Sequence, residues 1–373
     1  MLVTSAANDC GELAAVGGTT ALTSLTASGA TITQSSTAKT TGALSYTGTS
    51  AVNINGNITT SGGTIGMTGP LTIANTPTFD STNGGLTAAG ANINFSSTLN
   101  GATALTLRAG TAGIVSFGGA VGGTAALTNL SFTSANTIQV AANITVTGDN
   151  PLSFPSPVSI TGTSTISSNS ANIGFNSTVN GPQALTLLGG TGTITFTGAI
   201  GGTTALSSLS TTAATITQSS TAKTTGALSY TGTSAINING NITTSGGTIG
   251  MTGPVTIANT PTFDSTNGGL TAAGANISFS NTVNGAAPLI LRAGTAGVVS
   301  FSGEVGGIAA LTNLSFTSAN TIQVGADITV TGANALTFPS PVSLTGTSRI
   351  TSNNANIGFS STVNGAQALS LIS

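Results

Sequence analysis

The sequence predicts an all-β fold, a right-handed parallel β-helix (β-solenoid) built from internal repeats. Three observations support this prediction. Apolar residues alternate with Ser, Thr and Asn, Asn-Gly and Gly-Gly pairs interrupt the chain at intervals, and a long segment recurs unchanged. Alternation at period two is typical of strands, and these glycine-containing pairs are typical of tight turns. Helical periodicity over ten residues does not occur anywhere in the sequence.

Short alternating runs such as ALTLRA, GIVSF, TIQVAANITV and SAVNINGNITT predict the strands. The piece LSFPSPVSI, from Leu152 to Ile160, fits a strand end or a bulge, where the missing N–H of proline removes no ladder hydrogen bond. Turns are predicted at the Asn-Gly pairs, which begin at Asn55, Asn100, Asn180, Asn239, Asn284 and Asn364.

The repeat organises the whole chain. The segment ITQSSTAKTTGALSYTGTSA begins at Ile32 and recurs from Ile216, so the 373 residues are close to two periods. A shorter GG-x-x-AL marker begins at Gly17, Gly122, Gly201 and Gly306. The last block, FSSTVNGAQALSLIS, stops within a motif, which favours a fragment of a longer array. The predicted divisions are an atypical first coil or cap (1–16), repeat 1 (17–200, with sub-repeats 17–121 and 122–200) and repeat 2 (201–373, with sub-repeats 201–305 and 306–373).

Stacking explains why such units favour a solenoid. A strand–turn–strand unit with one apolar face cannot bury that face alone, whereas stacked units bury it against their neighbours. Equivalent positions then lie about 4.8 Å apart, so like charges would repel while Thr, Ser and Asn form ladders. With roughly 20 residues per coil we expect about 18 or 19 coils. The alternative is a string of small β-sandwich modules.

The composition excludes several classes of function. Charged residues make up 3% of the chain, the net charge is −2, and there is no His. No basic face can therefore neutralise the phosphates of a nucleic acid, and the Cys and His clusters of zinc sites are missing. Cys10 has no partner for an intrachain disulfide, so we interpret it as an incidental small hydrophobe, with an intermolecular bridge as the alternative.

The sequence carries no predicted targeting segment. No stretch has the roughly 18–20 apolar residues that a transmembrane helix needs. The N-terminal sequence MLVTSAANDCGELAAVGG lacks the basic and apolar regions of a signal peptide. If the protein is extracellular, we expect the chain to be a piece of a larger precursor or a mature product.

The strings GALSYTGTSAVNINGNITTSGG, STVNGAQALSL and SFGGAVGGTAALTNLSF resemble the repeats of filamentous-haemagglutinin-like bacterial surface proteins. This family includes the exoproteins of two-partner secretion systems, and it is related to the β-helical passenger regions of autotransporters. The resemblance covers the chain from about Gly17 onward. It implies a right-handed parallel β-helix, extracellular display, and a role in adhesion, biofilm or cell-surface structure. The N-terminal secretion domain of that family is not visible in this sequence.

No catalytic constellation is predicted. The charged residues that recur between periods would lie about nine coils, or roughly 40 Å, from their copies, too far for a carboxylate pair at about 5–10 Å. Asp9 and Glu12 alone make a weak calcium site, and no His can activate a Ser or Thr nucleophile. The recurring pairs are Asp80 with Asp264, Lys39 with Lys223, and Arg108 with Arg292. The single-copy acids, interpreted as solvated loop residues, are Asp9, Glu12, Asp149, Glu304 and Asp327.

Three other motifs in the sequence have alternative interpretations. The glycine-rich stretches lack the order of a phosphate-binding loop and are interpreted as turns. Thr-x-Thr pieces at 31–33 and 215–217 suggest an ice-binding face, but their spacing along the chain is irregular. The asparagines of Asn-x-Ser/Thr sequons are interpreted as turn and ladder residues rather than glycosylation sites. They include Asn57, Asn94, Asn143, Asn241 and Asn276.

We therefore expect a non-enzymatic structural or adhesive β-solenoid, secreted or displayed on a bacterial surface, as a fibre subunit or a stalk. The expected partners are other copies of the chain, bound end to end, or a host or cell-surface ligand bound through other regions. No catalytic, cofactor-binding or metal-binding residue is predicted, and no cofactor. The alternatives are a polysaccharide-active β-helix enzyme and an ice-binding Thr-rich solenoid.

Overall fold

The structure of the protein, a computed structural model, describes residues 2–4, 9–353 and 355–373. These residues form a parallel β-solenoid of about 17 turns, each of about 21 residues, without a helix in the described ranges. The predicted all-β solenoid is confirmed, with turns slightly longer and fewer than expected. The right-handed direction of the coil stays a prediction. Within the same ranges no helix is long and apolar enough to cross a membrane.

The chain forms two compact units, residues 1–179 and 180–373. The strands of the first unit, with β21 at its end, are β1 Leu2–Thr4, β2 Asp9–Leu13, β3 Leu25–Gln34, β4 Ala38–Thr40, β5 Leu44–Ile54, β6 Ile58–Thr60, β7 Ile65–Thr68, β8 Leu71–Ile73, β9 Thr78–Asp80, β10 Ile93–Phe95, β11 Leu99–Asn100, β12 Ala104–Arg108, β13 Ile114–Phe117, β14 Asn129–Ser134, β15 Thr137–Val140, β16 Ile144–Val146, β17 Leu152–Phe154, β18 Val158–Ile160, β19 Ser164–Ser168, β20 Ile173–Phe175 and β21 Val179–Asn180.

The strands of the second unit are β22 Ala184–Leu188, β23 Thr193–Phe196, β24 Ser208–Gln218, β25 Ala222–Thr224, β26 Leu228–Ile238, β27 Ile242–Thr244, β28 Ile249–Thr252, β29 Val255–Ile257, β30 Thr262–Asp264, β31 Ile277–Phe279, β32 Val283–Asn284, β33 Pro288–Arg292, β34 Val298–Phe301, β35 Asn313–Ser318, β36 Thr321–Val324, β37 Ile328–Val330, β38 Leu336–Phe338, β39 Val342–Leu344, β40 Ser348–Ser352, β41 Ile357–Phe359, β42 Val363–Asn364 and β43 Leu369–Ile372.

Parallel ladders join each turn to the next. In the first unit, one ladder runs through β3, β5, β7, β10, β13, β15 and β18, and a second runs through β4, β6, β9, β12 and β14. The second unit repeats both ladders, as β24, β26, β28, β31, β34, β36 and β39 and as β25, β27, β30, β33 and β35. The backbone hydrogen bonds therefore run from turn to turn.

The core consists of columns of apolar side chains. Leu25 lies beside Leu44, Leu44 beside Ile65, and Ile65 beside Ile93, each on the buried face of its strand. Because side chains alternate between the two faces of a strand, the intervening polar residues form outer columns. One such column contains Ser278, Ser300, Gln323 and Ser343 in register. The predicted ladder of uncharged side chains is confirmed here.

The prolines of the piece from Leu152 to Ile160 lie at strand ends, as predicted. Pro155 and Pro157 fall between β17 and β18. The predicted first coil, 1–16, falls partly outside the described residues. Its strands β1 and β2 both pair in parallel with β3, with a register shift in β2. The interpretation of Cys10 as an incidental hydrophobe, and of Asp9 as a solvated acid, concerns side chains outside the described part of the chain.

Candidate functional site

The charged residues that recur between the two periods lie in one outer column of each unit. In the first unit the parallel register places Lys39 beside Thr59, Thr59 beside Asp80, and Asp80 beside Arg108. We call these four residues, with their counterparts Lys223, Thr243, Asp264 and Arg292 in the second unit, the charged column. Neighbours in it carry opposite charges or none, so no like charges stack.

Asp80 is the centre of the charged column. It is 6% exposed, and its carboxylate accepts hydrogen bonds from the Thr82 N–H at 2.7 Å, the Thr82 hydroxyl at 2.6 Å and the Gly84 N–H at 2.7 Å. Nη1 of Arg108 lies 3.6 Å from its Oδ2 atom. A buried carboxylate needs such partners to offset its lost hydration. Both oxygens of Asp80 are therefore occupied in holding the local backbone.

The second unit reproduces this arrangement. Asp264 accepts from the Thr266 N–H and hydroxyl at 2.7 and 2.6 Å, and from the Gly268 N–H at 2.8 Å. Nη1 of Arg292 lies 3.4 Å from Asp264 Oδ2. Residues 80–92 and 264–276 have the same sequence, DSTNGGLTAAGAN, which explains the matching geometry.

The Asp80 carboxylate anchors an exposed loop, residues 83–91. Ser81 closes the base of the loop, since its hydroxyl donates to the Ala91 carbonyl at 2.8 Å and accepts from the Ala91 N–H at 2.9 Å. At the tip, Gly84 and Gly85 have φ values of 74° and 94°, a conformation that glycine adopts without strain. Leu86 follows with 86% of its surface exposed, and Leu270 has the same position in the second unit with 85%. The site therefore displays one apolar side chain on a fixed backbone.

The Asp80 carboxylate is engaged with its own loop and not with a neighbouring acid or base. The oxygens of Asp80 accept hydrogen bonds from the adjoining loop, and Lys39 and Lys223 are exposed two strands away from the aspartates, on β4 and β25. A general acid or base must instead reach the proton of a bound substrate directly or through one water. Within the charged column, Asp80 and Asp264 hold the loops that follow them.

A second polar cluster lies inside the core. Tyr46 is fully buried and donates its hydroxyl to Oε1 of Gln34 at 2.5 Å, while the Gln34 amide donates to the carbonyls of Leu13 and Ala14. Tyr230 and Gln218 form the same pair at 2.8 Å. Burial raises the pKa of both tyrosines far above the ordinary value of 10.0. Tyr46 and Tyr230 are therefore uncharged in the core of each unit at neutral pH.

The sequon asparagines act as connectors between turns, as predicted. The side-chain oxygen of Asn57 accepts the Thr78 N–H at 2.8 Å, and that of Asn241 accepts the Thr262 N–H at 2.9 Å. Each bond joins an asparagine at a corner to the backbone of the following turn. Asn143 and Asn276 also accept a backbone N–H of the following turn, and Asn94 accepts a hydrogen bond from the hydroxyl of Ser116.

The single-copy acids occupy different environments. Glu12, Asp149 and Glu304 are exposed. Asp327 occupies the corner position of Asn143: its Oδ1 accepts the Arg349 N–H at 2.8 Å, and its Oδ2 lies 3.3 Å from Arg349 Nη2. The interpretation as solvated loop residues therefore fits Asp149 and Glu304, whereas Glu12 is exposed within β2 and Asp327 is half-buried and paired.

Among the described residues, no three His, Cys, Asp or Glu side chains form a group that could hold a metal ion.

The predicted threonine row can be followed from turn to turn. Thr215 and Thr217 stand in register with Thr193 and Thr195 on one side but with Ala235 and Asn237 on the other. The threonine row thus ends after two turns.

Sequence reasoning missed the contact between Asp80 and Arg108, because it compared each charge with its distant copy. The signal was present, since Asp264 and Arg292 have the same separation along the chain as Asp80 and Arg108. That separation corresponds to one long turn of the solenoid, but its length becomes visible only when the strands are paired.

Comparisons with protein-family models, with curated proteins and with solved structures each found no match to this chain.

Proposed function

We propose that the chain is a structural or adhesive β-solenoid of a bacterial surface, of the filamentous-haemagglutinin-like kind, acting outside the cell as a fibre subunit or a stalk. The observation that carries the proposal is the register of the ladders, which stack apolar columns inside and uncharged polar columns outside, turn after turn. Such a body gains stability from contacts between neighbouring turns, so its length can grow without a new core.

Self-association is the mechanism we propose for a fibre. Val342 and Ile350 are buried, but their register neighbours in the turn formed by β41–β43, Val363 and Leu371, are 37% and 50% exposed. The edge of a parallel ladder also presents unpaired backbone groups. A turn of a second copy packed on β41–β43 would cover both, and such a head-to-tail contact need not close into a ring.

The loops anchored by Asp80 and Asp264 support the adhesive part of the proposal. Each presents an exposed leucine on a backbone that is already ordered, so binding through it costs little conformational entropy. Two identical loops on one chain would also raise the avidity for a surface that carries many copies of its partner.

Sedimentation velocity and electron microscopy at increasing protein concentration test the fibre mechanism. We expect end-to-end assemblies that lengthen with concentration, and their loss in Leu371→Lys. Leu188→Lys is the matched control, because Leu188 is also exposed, at 42%, but lies in an inner turn. A monomer at every concentration, or equal effects of both variants, would contradict end-to-end assembly.

A separate assay addresses the enzymatic alternative. Incubation of the chain with a panel of polysaccharides should release no new reducing ends. Release that is lost in Asp80→Asn would replace the adhesive proposal by a polysaccharide-active β-helix enzyme.

A further inference from the structure

A hydrogen-bonded ladder ends at an equivalent place in each unit. β14 is the last strand of its sheet, and β17 in the following turn pairs with β20 but not with β14. In the second unit β35 ends its sheet in the same way, and β38 pairs with β41 alone. We call the β14/β17 gap the first seam and the β35/β38 gap the second seam.

Proline removes backbone donors from the seams, two in the first and one in the second, where Ala335 takes the place of Pro151. The Leu152 N–H donates to the Asn172 carbonyl at 2.9 Å, on the side of β17 that faces away from β14. Because successive residues of a strand in a parallel sheet direct their backbone groups to opposite sides, residues 151, 153 and 155 face β14. Pro151 and Pro155 have no N–H to donate. In the second seam Pro339 occupies the position of Pro155.

The aromatic columns change ring orientation just before each seam, between β13 and β14 and between β34 and β35. Phe117 and Phe132 meet edge to face at 79°, and Phe301 and Phe316 at 78°, instead of stacking. Phe132 and Phe316 are 7% and 6% exposed, more than the other buried rings of their columns. The ring of Phe132 still lies 5.4 Å from that of Phe154. The turns therefore stay stacked in the core, and the seam opens only toward the outside.

Each seam carries a small cavity, of about 350 Å³ in the first unit and about 260 Å³ in the second. Around the first, the side chains of Asn129, Ser131 and Asn150 make no hydrogen bond to any described residue, although their groups can both donate and accept. The second seam has Asn313, Ser315 and Asn334 at the same positions. Neither cavity is lined by a charged residue.

We infer that each seam binds one unit of a neutral saccharide. Sugar hydroxyls both donate and accept, which suits free amides, a free serine hydroxyl and backbone groups without a ladder partner. The first cavity lies at the lower end of the size range for small-molecule sites, about 300–1,000 Å³, and the second lies just below it. The exposed rings of Pro155 and Pro339 supply an apolar face for the C–H groups of a sugar ring.

A peptide strand fits the seams less well than a sugar. An inserted strand would need the two turns to stand about 9.6 Å apart, twice the spacing between neighbouring strands. The 5.4 Å separation of the rings of Phe132 and Phe154 shows that the turns keep close to the ordinary spacing. The seams involve neither Leu371 nor the charged column, so saccharide binding and end-to-end assembly are independent of each other and can be tested separately.

Calorimetric titration of the full chain with neutral saccharides tests the inference. The probes are glucose, galactose, mannose, N-acetylglucosamine and their disaccharides, with glucuronate as the charged comparison. We expect two sites per chain, with dissociation constants in the millimolar range, for at least one neutral probe and none for glucuronate. Asn313→Ala with Ser315→Ala should halve the stoichiometry, and adding Asn129→Ala with Ser131→Ala should abolish binding.

Two controls keep this test decisive. Ser300→Ala removes a hydroxyl from the outer polar column, away from the seams, and should leave binding unchanged. Ser315→Tyr fills the second cavity instead of emptying it and should also halve the stoichiometry. Circular dichroism establishes that each variant is folded. No binding of any neutral probe, equal binding of glucuronate, or binding that survives the fourfold variant would overturn the inference.

Discussion

Asp80 and Asp327 are both carboxylates that face an arginine one turn further along the chain, yet their surroundings differ. Asp80 has a side chain 9% exposed and is held by three hydrogen bonds from its own loop. Asp327 has a side chain 35% exposed, and its arginine is 58% exposed. The attraction between exposed charges is screened by water, whereas the loss of a buried charge leaves its partners unsatisfied. An aspartate–arginine pair therefore orders a loop at Asp80, whereas at Asp327 it forms an exposed ion pair at a corner.

The largest expected effect is at the buried corner. Asp80→Ala should lower the free energy of unfolding by about 2–4 kcal/mol, because it leaves the loop N–H groups without acceptors and Arg108 without its counter-ion. Urea unfolding followed by circular dichroism measures this change. Asp264→Ala is the matched variant of the second unit and should cost the same. A loss below about 1 kcal/mol for both would mean that burial does not distinguish the two corners.

The buried tyrosines test whether burial alone, without charge, makes a polar group costly to remove. Tyr230→Phe should lower the free energy of unfolding by about 1–3 kcal/mol, because Oε1 of Gln218 loses its donor. Tyr46→Phe should act alike through Gln34. Ser300→Ala, at a partly exposed position, is the control for a lost hydroxyl. If all three variants unfold at the same urea concentration, the tyrosine–glutamine pairs contribute no stability.

The same tyrosines predict loss of stability at alkaline pH. Burial raises their pKa in the folded state, so below pH 10 both states hold the proton and stability is unaffected. Above pH 10 the unfolded state loses protons that the folded state retains, and the free energy of unfolding falls as pH rises. Absorbance of tyrosinate at alkaline pH should therefore appear together with unfolding. Ionisation of either tyrosine in the folded protein near pH 10 would contradict the burial of its hydroxyl.

The asparagine corners give a neutral counterpart to Asp327. Asn241→Ala removes the acceptor of the Thr262 N–H and should cost about 0.5–1.5 kcal/mol. Asn57→Ala, the equivalent change in the first unit, is its matched partner. Thermal unfolding of the two variants should shift by similar amounts. No shift in either would mean that water replaces the side-chain oxygen without loss.

The smallest effect is expected at Asp327 itself. Asp327→Asn restores the residue found at the equivalent Asn143, keeps the acceptor for the Arg349 N–H and removes only the exposed ion pair. The free energy of unfolding should change by less than about 0.5 kcal/mol, with even less difference at high salt. A loss as large as that of Asp80→Ala would break the distinction between the two corners.

Much of the fold could be predicted because it depends on local patterns. Period-two alternation in runs such as ALTLRA corresponds to β12, and the Asn-Gly pairs fall in turns or at strand ends. The role of Asn57 and its counterparts followed from composition, since amide side chains in stacked turns have backbone groups of the next turn within reach. The identity of residues 80–92 and 264–276 also implied that the two units would share whatever that segment builds.

The pairing between turns could not be predicted from those patterns. Leu25, Leu44, Ile65 and Ile93 follow one another in a single column at separations of 19, 21 and 28 residues. The turn that carries the loop after Asp80 is the long one, and a local pattern does not show how many residues a loop adds. A prediction based on an average turn length therefore could not place Asp80 beside Arg108. It also could not show that β14 and β17 lie in successive turns without pairing.

By itself the sequence determined the strand pattern, the turns, the twofold repetition and the near absence of charge, because each depends on residues close together in the chain or on composition. Only the tertiary structure decided which residues of successive turns meet. This pairing buries the Asp80 carboxylate, leaves Asp327 half-exposed beside Arg349 and leaves β14 and β17 unpaired. The physical reason is that the pairing between turns depends on how many residues each loop takes up, and a slip of that pairing by one residue would move the side chains of a strand to the opposite face.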